Sequence, residues 1–145
     1  MYQHLLLPTD GSEFSAAAVQ KGLQLASSLG AKVTVFFAIP EYHTLSHQAE
    51  LSQEALDRFA RDCQTHADQV LAKIAQAAQA AGVACDTASA INDHPFEAIV
   101  KVAAEKGCDL IVMASHGRKG IRGILLGSET QKVLTHTRIP VLVLR

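Results

Sequence analysis

Four stretches of this chain are apolar with almost no polar interruption: Leu5-Leu6-Leu7, residues 33–39 with only Thr34 polar, Leu110-Ile111-Val112-Met113-Ala114, and Val141-Leu142-Val143-Leu144. A strand with one wet face alternates polar and apolar residues. These do not, so each is expected to be covered on both faces, as in a parallel sheet held between helix layers. Parallel strands need long crossovers, usually helices. The segments between the runs should therefore be helical.

They carry helix punctuation. Ser12 is placed to cap a helix running to about Leu29, with Glu13 in its first turn and Gly30 just past its end. A longer helix is expected over about 49–81. There Leu56, Ala60, Cys63, Ala67, Val70, Ile74 and Ala78 fall on one stripe, and Gly82 follows. Pro95 suits the first position of a third helix, which Gly107 ends. Ser128-Glu129-Thr130-Gln131 matches a capping box opening a fourth. A weaker strand is expected at 84–91, where Val83, Cys85, Thr87 and Ile91 alternate with small residues. The resulting order, β-α-β-α-β-α-β-α-β, predicts one α/β domain over residues 1–145 with right-handed crossovers.

Composition narrows the functional classes. Of 145 residues, 48% are hydrophobic and 19% charged, which suits a globular chain and not a disordered one. A net charge of −1 provides no bulk attraction to nucleic acid, and with no Trp and two Tyr, stacking on bases is a poor expectation. The N-terminus lacks the basic and apolar regions of a signal peptide, and no run approaches the roughly 20 apolar residues of a membrane helix. The expected location is the cytoplasm, with neither a membrane nor a nucleic-acid partner. Cys63, Cys85 and Cys108 are odd in number and far apart. They are expected to be small buried hydrophobes rather than disulfides or zinc ligands.

In an open parallel sheet, ligands bind beyond the carboxyl ends of the strands where the strand order reverses. Two loops there draw attention. One is Pro8-Thr9-Asp10-Gly11-Ser12. The other spans 114–128 and holds Gly117, Gly120, Gly123 and Gly127 with Arg118, Lys119 and Arg122, and no acid. Glycines admit close backbone approach and positive φ. The following helix N-terminus favours negative charge. The same features also suit an ordinary surface loop ending in a capped helix. The loop is neither a Walker A sequence nor a dinucleotide fingerprint, because Gly-Lys-Ser/Thr and Gly-x-Gly are both missing.

Together these motifs resemble the universal stress proteins of the UspA type. The likeness lies in the first strand followed by Pro8-Thr9-Asp10-Gly11-Ser12, in Gly117, nine residues, Gly127 and Ser128, and in the closing Ile139-Pro140-Val141-Leu142-Val143. It covers essentially the whole chain. The resemblance implies a five-stranded parallel sheet of order 3-2-1-4-5 with helices on both faces, the adenine-nucleotide alpha-hydrolase-like fold. It also implies a symmetric homodimer and, in some members, ATP at the switch between strands one and four. By position, Asp10 would face the adenosine and the Ala38 backbone would border adenine. Gly117, Gly127, Ser128, Glu129 and Thr130 would contact phosphate, largely through main-chain N–H groups. Pro8, Thr9, Met113, Ala114, His116 and Arg118 complete the expected site, and magnesium could accompany the phosphates. One position departs from the family pattern: Ala114 stands where nucleotide-binding members have the first motif glycine. Its effect turns on whether φ there is positive.

Other chemistry has less support. Asp10 also suits a turn residue capping the first helix. His116 could act as an acid beside the phosphate loop, or be a plain loop side chain. His43 and His47, with Cys63 and His66 further on, have metal-like spacing but no fixed geometry, and scattered solvent-facing histidines fit as well. No Ser-His-Asp or Cys-His arrangement can be argued. The last strand, apolar on both faces, would be exposed at a sheet edge unless paired with its own copy, which favours a dimer through Val141–Leu144. The expected function is a nucleotide-dependent switch or sensor with at most slow ATP hydrolysis. The alternative is a dimeric interaction module of the same fold without nucleotide.

Overall fold

The structure is a computed structural model, and it describes residues 1–41, 52–117 and 126–145. Among the described residues nine elements follow one another: β1 (His4–Thr9), α1 (Glu13–Leu29), β2 (Lys32–Ile39), α2 (Gln53–Ala80), β3 (Cys85–Ile91), α3 (Pro95–Glu105), β4 (Leu110–Ala114), α4 (Ser128–His136) and β5 (Val141–Leu144). The strands form one sheet of order β3-β2-β1-β4-β5. All ladders are parallel, with Leu5 opposite both Val33 and Leu110.

The continuous apolar runs become central strands because successive side chains point to opposite faces. Leu5, Leu7, Val33, Val35, Phe37 and Val112 face α1 and α2 and pack with Val19, Leu23, Ala67 and Leu71. Leu6, Phe36, Ile111 and Met113 face α3 and α4 and pack with Ile99, Val102, Ala103 and Val133. Every residue of β1 and β4 is buried. The apolar run at β5 behaves differently. It occupies a sheet edge, its residues are only partly covered, and Leu142 is 39% exposed. The sequence pattern anticipates coverage on both faces, and the described residues of one copy leave it incomplete. The other edge strand, β3, is mostly exposed, which explains its weak apolar signal.

Helix ends follow local chemistry. The Ser12 hydroxyl accepts from the Ser15 N–H, and the Ser52 hydroxyl accepts from the Ala55 N–H, starting α2 a few residues later than expected. Gly30 stops α1 in the left-handed region at φ 65°. The capping box at 128–131 does not form with Ser128 as cap. Gly127 is the cap residue, Ser128 is the first helical residue, and no side chain caps Gly127. The Gln131 side-chain Nε2 instead donates to the Leu126 carbonyl. The cause is a tertiary bond: the Gly127 N–H donates to the Ser115 carbonyl at 2.7 Å, which sets where the chain enters α4. None of the three cysteines is in a disulfide, and only Cys108 is fully buried. Cys63 and Cys85, expected inside, lie half-buried on α2 and on the exposed edge strand. Among the described residues no helix is long and apolar enough to cross a membrane.

Candidate functional site

At the carboxyl end of the sheet the chain leaves β1 toward one face, into α1, and leaves β4 toward the other, into α4. Adjacent strands whose exits diverge leave a crevice between them. Here it is a cleft of about 440 Å³, within the usual range for small-molecule sites. Its floor and walls combine apolar groups (Pro8, Phe37, Ala38, Pro40, Ile99, Met113) with the polar β1–α1 and β4–α4 turns.

The β1–α1 turn is fixed by its own side chains. Gly11 takes φ 80°, a conformation that glycine adopts without penalty. One Asp10 carboxylate oxygen accepts from the Ser12 N–H and from the Ser15 hydroxyl, both at 2.9 Å. The Thr9 hydroxyl accepts from the Gly11 N–H and pairs with the Ser15 hydroxyl. Asp10 is therefore a turn residue, as its sequence context suggested, and it also lines the cleft. Behind this turn His66 of α2 meets Phe37 edge-on, with ring centroids 6.0 Å apart.

The β4–α4 side is backbone-rich. Neither Gly117 nor Gly127 uses positive φ, contrary to one of the two reasons for expecting glycine there. Space is the reason. A Cβ on Gly117 would lie 2.7 Å from Asp10 Oδ2, and one on Gly127 would lie 3.1 Å from the Ser115 carbonyl oxygen. No non-glycine residue among those described has positive φ, so Ala114 ends β4 without backbone strain, and its departure from glycine costs nothing in conformation. The buried Thr130 hydroxyl donates to the carbonyls of Ala114 and Ser115, tying α4 to the end of β4. That hydroxyl is structural, so any ligand contact by Thr130 falls to its main chain. The N–H groups of Ser128, Glu129 and Thr130 lie in the first turn of α4, where helix geometry provides no carbonyl partner.

The Glu129 side chain does something the sequence did not indicate. Its Oε2 accepts from the Phe96 N–H at 3.0 Å and its Oε1 pairs with Lys132 Nζ at 3.2 Å. His94, the cap residue of α3, makes no side-chain cap bond, so Glu129 caps α3 from another helix.

Every described residue of the expected nucleotide site lines this one cleft: Pro8, Thr9, Asp10, Ala38, Met113, Ala114, His116, Gly117, Gly127, Ser128, Glu129 and Thr130. Arg118 lies outside the described residues, as do Lys119, Arg122, His43 and His47. Ser15, Phe37, Pro40, Asn92, Asp93, Pro95 and Ile99 also line the cleft but were not singled out. A signal for Asn92 and Asp93 existed, because they follow the carboxyl end of the weak third strand. His116 Nδ1 is 3.0 Å from the Ser115 hydroxyl, which orients the ring at the cleft wall. Among the described residues no group of three or more His, Cys, Asp or Glu could hold a metal ion, and His66 packs on Phe37 instead.

The titratable groups with shifted pKa values lie at the opposite end of the sheet. Burial, helped by Lys32, lowers His4, whose Nε2 is 2.8 Å from the Thr34 hydroxyl. Burial pushes the Cys108 thiol up to about 11, leaving it an unreactive packing group. Burial works to raise Asp109, but the N–H groups of Gln3 and His4 outweigh it and hold the carboxyl below its ordinary value.

Comparison with known proteins agrees with this architecture. The model of the universal stress protein family matches residues 1–145. Universal stress protein MJ0531 of Methanocaldococcus jannaschii is 30% identical over 145 residues, covering all of this chain and 83% of that protein. Among solved structures, MJ0577 of the same organism, described as a hypothetical protein, is similar with a TM-score of 0.83 at 28% identity, covering 99% of this chain and 96% of that one. A universal stress protein in complex with cAMP is similar with a TM-score of 0.70 at 26% identity, covering 99% of this chain and 97% of that one. With a family match over its whole length and the sheet order that its motifs implied, the chain belongs to the universal stress protein family.

Proposed function

We propose that this protein is a cytoplasmic stress-response protein that binds ATP or a related adenine nucleotide in the β1/β4 cleft, as a homodimeric switch or sensor with at most slow hydrolysis. One observation carries the reading: apolar walls, the Asp10 carboxylate and the first-turn amides of α4 all open onto the same cleft. Pro8, Ala38 and Met113 offer flat apolar contact for a base, and Asp10 offers acceptor oxygens to the adenosine part. The amides of Ser128, Glu129 and Thr130, with the α4 dipole behind them, suit one phosphate group. Arg118, Lys119 and Arg122 would speed the approach of phosphates in a salt-sensitive way. Magnesium would be held chiefly by phosphate oxygens. The related universal stress protein in complex with cAMP supports an adenine nucleotide in particular.

The test is release and rebinding. The purified protein is denatured and the supernatant searched for nucleotide, and the native protein is titrated with a fluorescent ATP analogue. Released adenine nucleotide or saturable binding supports the reading. Neither, even at millimolar ligand, would leave the interaction module as the function of this fold.

A further inference from the structure

Two helix N-termini open on the cleft. That of α4 contributes Ser128 and Glu129, and that of α3 contributes Pro95. An N-terminus favours an anion because its first N–H groups and the helix dipole point the same way. The α3 end is already served from within the protein: the Glu129 carboxylate takes the Phe96 N–H at 3.0 Å. Its other oxygen is held by Lys132 at 3.2 Å, and Lys132 Nζ in turn sits 5.4 Å from the Phe96 ring centroid. A carboxylate anchored through both oxygens is not placed to swing aside when a ligand enters. Glu129 is also the second residue of α4, so this carboxylate, its charge offset in part by Lys132, stands in the helical turn whose amides are best placed for a phosphate. Asp10 and Asp93 line the same cleft, and among the described residues no lysine or arginine does.

On the nucleotide reading of this cleft, on which the point rests, we infer that Glu129 is a specificity-determining residue. It favours adenine nucleotides with one phosphate group over uncomplexed polyphosphates, so that ATP binds well only with its charge reduced by a divalent cation. The amides of α4 can neutralise one phosphate. A second or third phosphate brings further negative charge into a cleft lined by the Glu129, Asp10 and Asp93 carboxylates, and each added charge is penalised by a repulsion that solvent screens only in part. Magnesium spread over the β- and γ-phosphates removes that penalty. The cations Arg118, Lys119 and Arg122, outside the described residues, are common to the native chain and to a variant at position 129, so comparing the two proteins ligand by ligand subtracts them.

The experiment is calorimetric titration of the intact protein with AMP, cAMP, ADP and ATP, each in EDTA and in excess magnesium, for the native chain and for Glu129→Gln. Glutamine keeps an oxygen for the Phe96 N–H while removing the charge. In EDTA the native protein is expected to bind AMP or cAMP at least as tightly as ATP, and magnesium is expected to tighten ATP selectively. Glu129→Gln should improve ATP in EDTA by about five- to tenfold while changing cAMP by less than about twofold. Asp93→Asn, on an exposed loop, should shift ATP in the same direction by a smaller factor. ATP binding about tenfold tighter than AMP in EDTA, or a Glu129→Gln effect equal for all four ligands, would overturn the inference and leave the nucleotide reading standing. No binding of any of the four, with or without magnesium, would overturn that reading and this inference together.

Discussion

Ala114, Gly117 and Gly127 show how differently three small residues act within one site. At Ala114 the backbone is ordinary strand, so the methyl carries no strain. Replacing it with glycine is expected to lower stability by about 0.5–1 kcal/mol through chain entropy. Nucleotide affinity should rise little, by less than about threefold if no methyl blocks the ligand, as a titration of both proteins would show. At Gly117 the constraint is contact. An alanine Cβ would come within 2.7 Å of Asp10 Oδ2, so the carboxylate must move. Gly117→Ala should weaken nucleotide binding by about tenfold or more, roughly the loss of one charge-assisted hydrogen bond, while the urea midpoint barely changes. Gly127 is a less selective probe. Its would-be Cβ meets a backbone carbonyl, and its N–H holds Ser115 at 2.7 Å, so a larger residue there disturbs fold and ligand at once. That glycines would matter was legible from their spacing. Why each matters was not, because Asp10 and Ser115 are neighbours only in the folded chain.

Elements repeat the lesson at larger range. The starts of α1 and α3 and the stops of α1, α2 and α3 were readable from Ser12, Pro95 and the glycines beyond their ends, since these signals act within a turn of the helix itself, whereas α2 starts at its Ser52 cap, later than the expected start near residue 49. The start of α4 was misread by one residue because its cap is decided by β4, through Gly127 and Ser115. Thr130 and Glu129 complete that junction, one bonding α4 to the end of β4 and the other bonding α4 to α3. Thr130→Val removes a buried hydroxyl donating to two carbonyls, and it should cost about 1–2 kcal/mol in urea unfolding. Glu129→Ala strips α3 of its only identified side-chain cap and should cost about 1 kcal/mol. Hydrogen exchange at the Phe96 amide should accelerate in the alanine variant and stay slow in Glu129→Gln.

For the whole molecule, the sheet separates the cleft at its carboxyl end from a cluster of shifted titratable groups at its other end. His4 sits at the latter, 7% exposed and bonded to Thr34. Its folded pKa lies below the ordinary 6.5, so the unfolded chain binds the proton more readily. Stability is therefore complete above about pH 6.5 and declines as pH falls below it, and Asp109 adds a further loss in strong acid. Urea midpoints should drop between pH 7.5 and 5, and the slope should flatten in His4→Gln. The other molecule-wide question is the β5 edge, where Leu142 remains 39% exposed. If the proposed dimer pairs this edge, Leu142→Lys should shift the sedimentation coefficient to that of a monomer, and a native chain already sedimenting as a monomer would refute the pairing. The sheet class, the alternation of strands and helices among the described residues and the two loops at the sheet's carboxyl end were set by the sequence alone, because apolar periodicity and capping are written among near neighbours. Asn92 and Asp93 joining the cleft, Gly117 lying against Asp10, and Glu129 turning to Phe96 were decided only by tertiary packing. Their partners are far away along the chain, and only the sheet and its helix layers bring them within bonding distance.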